Sequence, residues 1–326
     1  MGSSLGGGTP DLGELVASEL SRPAPEAARQ LADAIRRRHG EAVAAVVFYG
    51  SCLRKRTHEG VLDFYVLVDS YRGVYRSRAL AWTNALLPPN VFYLEIESPL
   101  GTLRSKYAVV SSRDFERASA PKALRPGIWA RFCQPAVLVY ARDEAARQTI
   151  LRAASASVLT ALQQGLPLLP VEDEILRFRF DEFWQNTLRE TYAAEMRTET
   201  AETIHGVYLA APERFDRAAS SGLDALAERG WLRWQREGDL AVVTLSAAQR
   251  RRAARAWALR KPLRKAVYMI GLLKSAATFG DWLPYVLWKL ERHTGTTIEL
   301  TDRQRRHPLI WGWPVFWRVL RQRDLR

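Results

Sequence analysis

Two short stretches bring together groups able to hold phosphate and a divalent cation. Phe48-Tyr49-Gly50-Ser51 ends one apolar run, and Val61-Leu62-Asp63-Phe64-Tyr65-Val66 sets an aspartate inside the next. A glycine lets the backbone approach a phosphate closely, and Ser51 can donate its hydroxyl and backbone N–H where a helix starts and its dipole favours anions. Arg54, Lys55 and Arg56 follow at once. A carboxylate in an apolar strand is costly unless it coordinates or pairs. Asp63 is therefore the expected ligand for Mg²⁺, which bridges to phosphate oxygens and neutralises charge on a leaving pyrophosphate.

The elements that must carry these groups follow from the periodicity. Residues 11–21 and 24–39 predict two helices, the second with Ala27, Leu31 and Ile35 at helical spacing and a basic last turn. The period then shortens to that of strands at 43–49 and 61–68, with a helix expected at 75–86 and further strands at 91–96, 106–111 and 136–140. Helical periodicity dominates 143–197. Beyond it an Ala-Leu-Ala-Glu-Arg-Gly helix end precedes two apolar runs around Gly238-Asp239, a helix followed by a β-hairpin. The expected organisation is α+β: a flexible leader at 1–10, a mixed-sheet domain at 11–142, a mostly helical, winged-helix-like domain at 143–245, and a basic amphipathic region at 246–326.

Composition narrows the function classes. With 326 residues, 47% of them hydrophobic and 25% charged, the chain has the makings of a folded protein, and no apolar run approaches the roughly 18–20 residues a bilayer span needs. The opening Met-Gly-Ser-Ser-Leu-Gly-Gly-Gly lacks the basic and apolar regions of a secretory signal, which predicts a cytoplasmic protein. Cys52 and Cys133 form neither a disulfide framework nor a zinc pattern, and the five histidines show no metal spacing. The net charge is +13, and residues 246–326, with 18 Lys/Arg against 5 Asp/Glu, account for all of it. An anionic partner is expected.

The Gly-Ser turn followed by a strand aspartate resembles the nucleotidyltransferase fold, although the second carboxylate usual two residues on is here Tyr65. The longer pattern, VFYGSCLRKR and VLDFYVLVDS, is similar to the mitochondrial-type phosphatidate cytidylyltransferases, the CDP-diacylglycerol synthases of the translocator assembly and maintenance family. Ser105–Phe115 (SKYAVVSSRDF) resembles that family's lysine-tyrosine strand. Trp129–Val139 (WARFCQPAVLV) resembles its Gly-Arg-Leu-x-Lys-Pro-Val segment, keeping Arg131 and Pro135, with Ala130 and Gln134 in place of Gly and Lys. Thr191–Arg197 (TYAAEMR) resembles its Ser-Tyr-x-Gly-Asp-x-Arg element, with Glu195 at the Asp position, and LRKPLRKAVYMIGLLKSA its basic C-terminal helix.

The resemblance implies CTP and phosphatidic acid as substrates and Mg²⁺ as cofactor. Asp63 is then the first metal ligand, with Glu195 and then Glu95 as the second carboxylate. Lys106 is expected on the triphosphate. Arg131, Arg197, Arg264 and Lys265 are candidates for the triphosphate or the lipid phosphate, and Tyr49 and Tyr192 for contacts near the nucleotide.

Six of the eleven tryptophans, Trp257, Trp282, Trp288, Trp311, Trp313 and Trp317, lie among the arginines of the basic region. Such a region can bind nucleic acid by phosphate contacts and stacking, or lie in a membrane interface. The apolar excess of LIWGWPVFW favours the interface, so the expected state is peripheral attachment to an anionic membrane, and nucleic acid is not the expected partner. Two alternatives stand beside the synthase: transfer to another phosphorylated or phosphonate acceptor, and an inactive nucleotidyltransferase-like scaffold that binds RNA or lipid.

Overall fold

The computed structural model describes residues 11–75, 77–169, 175–195, 200–278 and 301. Arg197 and the tryptophans beyond Trp257 lie outside the described residues. Two helices open the fold, α1 (Leu12–Leu20) and α2 (Glu26–His39), the latter burying Ala27, Leu31 and Ile35 on one stripe. Strand β1 (Val43–Tyr49) leads through the one-turn helix α3 (Ser51–Lys55) into β2 (Val61–Val68). Helices α4 (Tyr71–Val74) and α5 (Arg78–Leu86) precede the hairpin of β3 (Asn90–Ser98) and β4 (Gly101–Ser111). Then come α6 (Ser112–Ser119), α7 (Trp129–Phe132) and β5 (Ala136–Ala141). The helix expected at 75–86 starts later, because the Ser77 hydroxyl accepts a bond from the Leu80 N–H and caps it there.

The five strands form one mixed sheet, ordered β3-β4-β2-β1-β5, with β2 antiparallel to β1 and parallel to β4. Side chains of β2 alternate between its faces. Leu62, Phe64, Val66 and Val68 join α2 in one core layer, while Tyr65 and Leu67 face the other.

The remaining chain is mostly helical: α8 (Glu144–Gly165), α9 (Phe180–Ala194), α10 (Ala201–Leu209), α11 (Pro212–Glu228) and α12 (Ala247–Thr278). Three short strands, β6 (Ile175–Phe178), β7 (Arg233–Glu237) and β8 (Leu240–Thr244), make a second sheet ordered β6-β8-β7. The β7–β8 hairpin was expected; β6 was not. Its four residues bury only Leu176 and Phe178, and its pairing with β8 is remote in sequence, so no local pattern marks it.

One apolar core runs from the Tyr65 face of the sheet through α1, α7, α8, α9 and α11 to Trp257 of α12, uniting the two expected domains on that side. Trp257 is only 6% exposed and belongs to this core, which corrects its reading as part of an interfacial anchor. Among the described residues no helix is long and apolar enough to cross a membrane.

Candidate functional site

The registers of the sheet line up Tyr93, Lys106, Asp63, Tyr49 and Ala136 in a single row across all five strands. Asp63 shares the face of Tyr65, and Lys106 that of Ala108, so the row closes one end of the apolar face where the core gives way to solvent. Cross-strand neighbours of opposite charge attract, and Lys106 Nζ stands 3.3 Å from Asp63 Oδ1. Both side chains keep access to water, at 42% and 21% exposure.

On the other flank of Asp63 lies Gly50, which ends β1 with a left-handed φ of +91°. A β-carbon there would stand 2.8 Å from Asp63 Oδ2, so any larger residue would press on the carboxylate as well as strain the backbone. Ser51 is exposed at the start of α3, whose five residues offer backbone N–H groups but little dipole. Arg54 of the same turn donates to Gln134 Oε1 at 3.3 Å, and the Gln134 amide donates to the Ala130 carbonyl at 2.6 Å. Glycine turn and Arg-Phe-Cys-Gln segment are thereby tied together.

Helix α7 covers this end of the sheet. Phe132 packs against Tyr49 and, edge-on, against Tyr65, at 5.7 and 5.2 Å between ring centres. Arg131 meets Glu195, just past the end of α9, in a two-pronged ion pair with both N···O distances 3.2 Å. It also donates to the Gly127 carbonyl. Glycine is again required for space, since a β-carbon at 127 would lie 2.8 Å from Glu195 Oε1. Burial opposes the Arg131 charge, but Glu195, with Tyr65 and Tyr49, outweighs it and holds the guanidinium well above the usual arginine range. Burial pushes the Tyr65 hydroxyl up, Arg131 opposes this, and Glu195 adds to it. Tyr65 thus occupies the expected second-carboxylate position as a neutral group facing a salt bridge.

The other expected residues are dispersed. Strand β4 intervenes between β3 and β2, so Glu95 does not lie on a strand alongside Asp63. Its carboxylate is 3.1 Å from Arg104 Nε and accepts from the Tyr93 hydroxyl at 2.7 Å. Tyr192 is buried in the core of α9, and Lys265 is exposed on α12. No group of three His, Cys, Asp or Glu side chains able to hold a metal ion occurs among the described residues.

Two cations stand where α12 crosses the 121–127 loop. Arg264 is buried to 2% exposure, donates from Nε to the Leu124 carbonyl at 2.6 Å and lies 3.9 Å over the Trp257 ring. Burial, aided by Arg260, pushes its pKa down to about 10. The neighbouring Arg125 donates to the Pro88 carbonyl, and burial lowers its pKa despite Tyr65 and Glu195. Arg125 escaped the sequence reading because a lone arginine in a Leu-Arg-Pro-Gly loop carries no periodic signal.

No protein-family model matches the chain, and no curated protein matches it significantly.

Proposed function

We propose that the chain is a Mg²⁺-dependent phosphatidate cytidylyltransferase, converting CTP and phosphatidic acid to CDP-diacylglycerol and pyrophosphate at an anionic membrane surface. In this reading β1, α3 and β2 are the nucleotide-holding element of a nucleotidyltransferase fold, and α11 with the β7–β8 hairpin is a winged helix. The observation that carries it is the fit of Gly50 against Asp63, in one row with Lys106. A glycine turn that can admit phosphate oxygens, a carboxylate beside it and a lysine beyond are the parts that handling a triphosphate requires.

The donor set suits magnesium arriving with its nucleotide. Mg²⁺ keeps several waters and takes one or two carboxylates together with substrate phosphates. Asp63 would hold it, since it stands beside the Gly50 turn and keeps 21% exposure, whereas Glu195 and Glu95 stand away from that turn, paired with Arg131 and Arg104. Bound there, the ion would supply charge neutralisation at the phosphates. A phosphate monoester oxygen of the lipid attacks the α-phosphorus of CTP, the bond from that phosphorus to the bridging oxygen breaks, and pyrophosphate leaves with the electron pair. The attacking monoester is already ionised near neutral pH, so no general base is needed and the residues act by positioning and charge. Lys106 neutralises phosphate oxygens opposite Asp63. Arg131 and Arg54, held by Glu195 and Gln134, line the approach.

The membrane part rests on α12, which carries no Asp/Glu and exposes the cations Arg251, Arg252, Arg255 and Lys265 together with Leu259, Leu263, Met269 and Ile270. Each such cation near an anionic surface is worth about 1 kcal/mol.

Pyrophosphate release from CTP, ATP, GTP and UTP, with Mg²⁺ and with or without phosphatidic acid vesicles, tests the reading. Release with CTP and phosphatidic acid alone is expected. Release with another acceptor would reassign the substrate.

One observation favours a second reading, an inactive anion-binding scaffold: both candidate second carboxylates are ion-paired to arginines. No release with any nucleotide, together with intact vesicle binding, would establish that alternative.

A further inference from the structure

Trp82 is the one exposed tryptophan among the described residues; Trp129, Trp184 and Trp257 are buried, and Trp231 and Trp234 are half-buried. It lies on α5 with 62% of its surface open to solvent, and Leu86, one turn on and on the same side, is 78% exposed. The other side of α5 is fixed. Ala81 and Asn84 are buried there, and the Asn84 amide donates to the Val109 carbonyl and to the Tyr75 hydroxyl, each at 3.1 Å. Trp82 and Leu86 therefore stand out from a helix anchored to the sheet, and neither serves the core.

Helix α12 is divided in the same way. Trp257, Arg264 and Gly271, seven residues apart, turn inward. The first enters the core, the second donates to the Leu124 carbonyl, and the third faces Leu87, whose Cδ2 would lie 3.8 Å from a β-carbon at 271. Lys274 adds a bond to the Leu87 carbonyl. Leu259, Leu263, Ala266 and Ile270 recur at helical spacing along the exposed side. Ile270 and Leu86 are the chain neighbours of the two residues in the Gly271–Leu87 contact, so the apolar stripe of α12 ends close to the apolar pair of α5.

Charge selects what covers this surface. Between Asp69 and Glu95 the chain has Arg72, Arg76 and Arg78 and no acidic residue, and α12 has none either. A second copy would bring charge of the same sign, and so would residues 279–326, with nine Lys/Arg against five Asp/Glu. An anionic bilayer supplies what both of these lack. Its headgroups oppose the arginines, and its acyl boundary accepts a tryptophan ring while the indole N–H stays in the wet layer.

We propose that Trp82 and Leu86 of α5 insert into an anionic membrane interface and, with the α12 stripe, make a two-helix docking surface. The α12 half belongs to the membrane reading above. The α5 half rests on its own residues and does not require the transfer reaction.

The test is flotation of the full chain with phosphatidylcholine vesicles, with and without phosphatidic acid. Wild type should bind the vesicles that contain phosphatidic acid, and Trp82→Ser combined with Leu86→Ser should bind them at least tenfold more weakly at unchanged Tm. Trp82→Phe, which keeps an apolar ring, should lose much less. A fluorophore on Leu86→Cys, selective because Cys52 and Cys133 are buried, should brighten on those vesicles and not on phosphatidylcholine alone. It decides the matter if the double variant does not fold. Wild-type affinity in the double variant, or a fluorophore that stays in water on the bound protein, overturns the proposal. So does sedimentation showing that wild type pairs with itself through Trp82 and Leu86.

Loss of binding in Leu259→Ser and Leu263→Ser alone would keep the α12 reading and remove α5; loss in the α5 variants alone would do the reverse. Pyrophosphate release with soluble dihexanoyl phosphatidic acid should be unchanged by Trp82→Ser and Leu86→Ser, which separates failure of docking from failure of the transferase reading.

Discussion

Gly50 and Asp63 are fitted to one another: a β-carbon on the first would stand 2.8 Å from Oδ2 of the second. The end of β1 and the start of β2 thus meet at Asp63, with Lys106 beside it on the next strand. Gly127 repeats the device beside Glu195 and Arg131. Beside each of these two carboxylates a glycine leaves the room that a β-carbon would take.

Gly50→Ala should damage both stability and activity. Gly50 has φ +91° and ψ −160°, a region essentially restricted to glycine that costs a residue with a β-carbon about 1–3 kcal/mol, and the added methyl displaces Asp63. Urea unfolding should show a loss of that size, and pyrophosphate release should fall at least tenfold. A variant of wild-type activity would mean that the close fit has no functional weight.

The Arg131–Glu195 pair should behave as a unit. Its side chains are 24% and 9% exposed, so removing either partner strands a mostly buried charge, at a cost of about 3 kcal/mol. Arg131→Met and Glu195→Leu combined should be far less destabilising than the sum of the singles, with a coupling near 2 kcal/mol in a double-mutant cycle. Additive losses would show that the two side chains do not depend on each other.

Stability should fall on mild acidification through His39. Its Nε2 is 3.0 Å from the Tyr107 hydroxyl, and burial, with help from Arg38, pushes its pKa down to about 4. The unfolded chain then binds more protons than the folded one between pH 4 and 6.5, so stability rises with pH across that window. The contribution is complete above about pH 6.5 and is lost as pH falls toward 4, on the order of 2 kcal/mol. Urea unfolding of wild type and His39→Gln at pH 7, 6 and 5 should give curves that converge as pH falls. Parallel curves would exclude the histidine as the source.

The basic region should divide into core and surface at single-residue resolution. Trp257→Ala should cost about 3–5 kcal/mol, as deletions of buried aromatics do, without changing affinity for phosphatidic acid vesicles. Leu259→Ser and Leu263→Ser, at positions 79% and 51% exposed, should weaken vesicle flotation while leaving Tm in place. Equal vesicle binding by all three variants would move the membrane contact elsewhere.

Much of this architecture is local and was therefore legible. The stripe of α2 and the alternation of β1 and β2 follow from side-chain periodicity, and a short connection leaves β1 and β2 little choice but to pair. The neighbourhood of Gly50 and Asp63 follows from that pairing. Other features depend on contacts between distant segments, which periodicity does not record. The parallel docking of β4 on β2 moves Glu95 to the outer strand and brings Lys106 to Asp63. The pairing of Glu195 with Arg131 joins residues expected in separate roles. Trp257 reads as an anchor by composition and is buried because its turn of α12 faces the core. Gly50, Asp63, Lys106, Arg131 and Glu195 were legible as residue types, and Gly50 beside Asp63 as a pair; the partnerships of Lys106 with Asp63 and of Arg131 with Glu195 were not.

Asp63→Asn puts the central claim to the most direct test, because it keeps the shape of the side chain while removing its charge. Release of pyrophosphate from CTP with Mg²⁺ and phosphatidic acid vesicles should fall by about a hundred- to a thousandfold, the loss seen when one group stabilising transition-state charge is removed, with the fold intact by circular dichroism. A variant that releases pyrophosphate at the wild-type rate would contradict a metal-holding role for Asp63 and, with it, this account of the site.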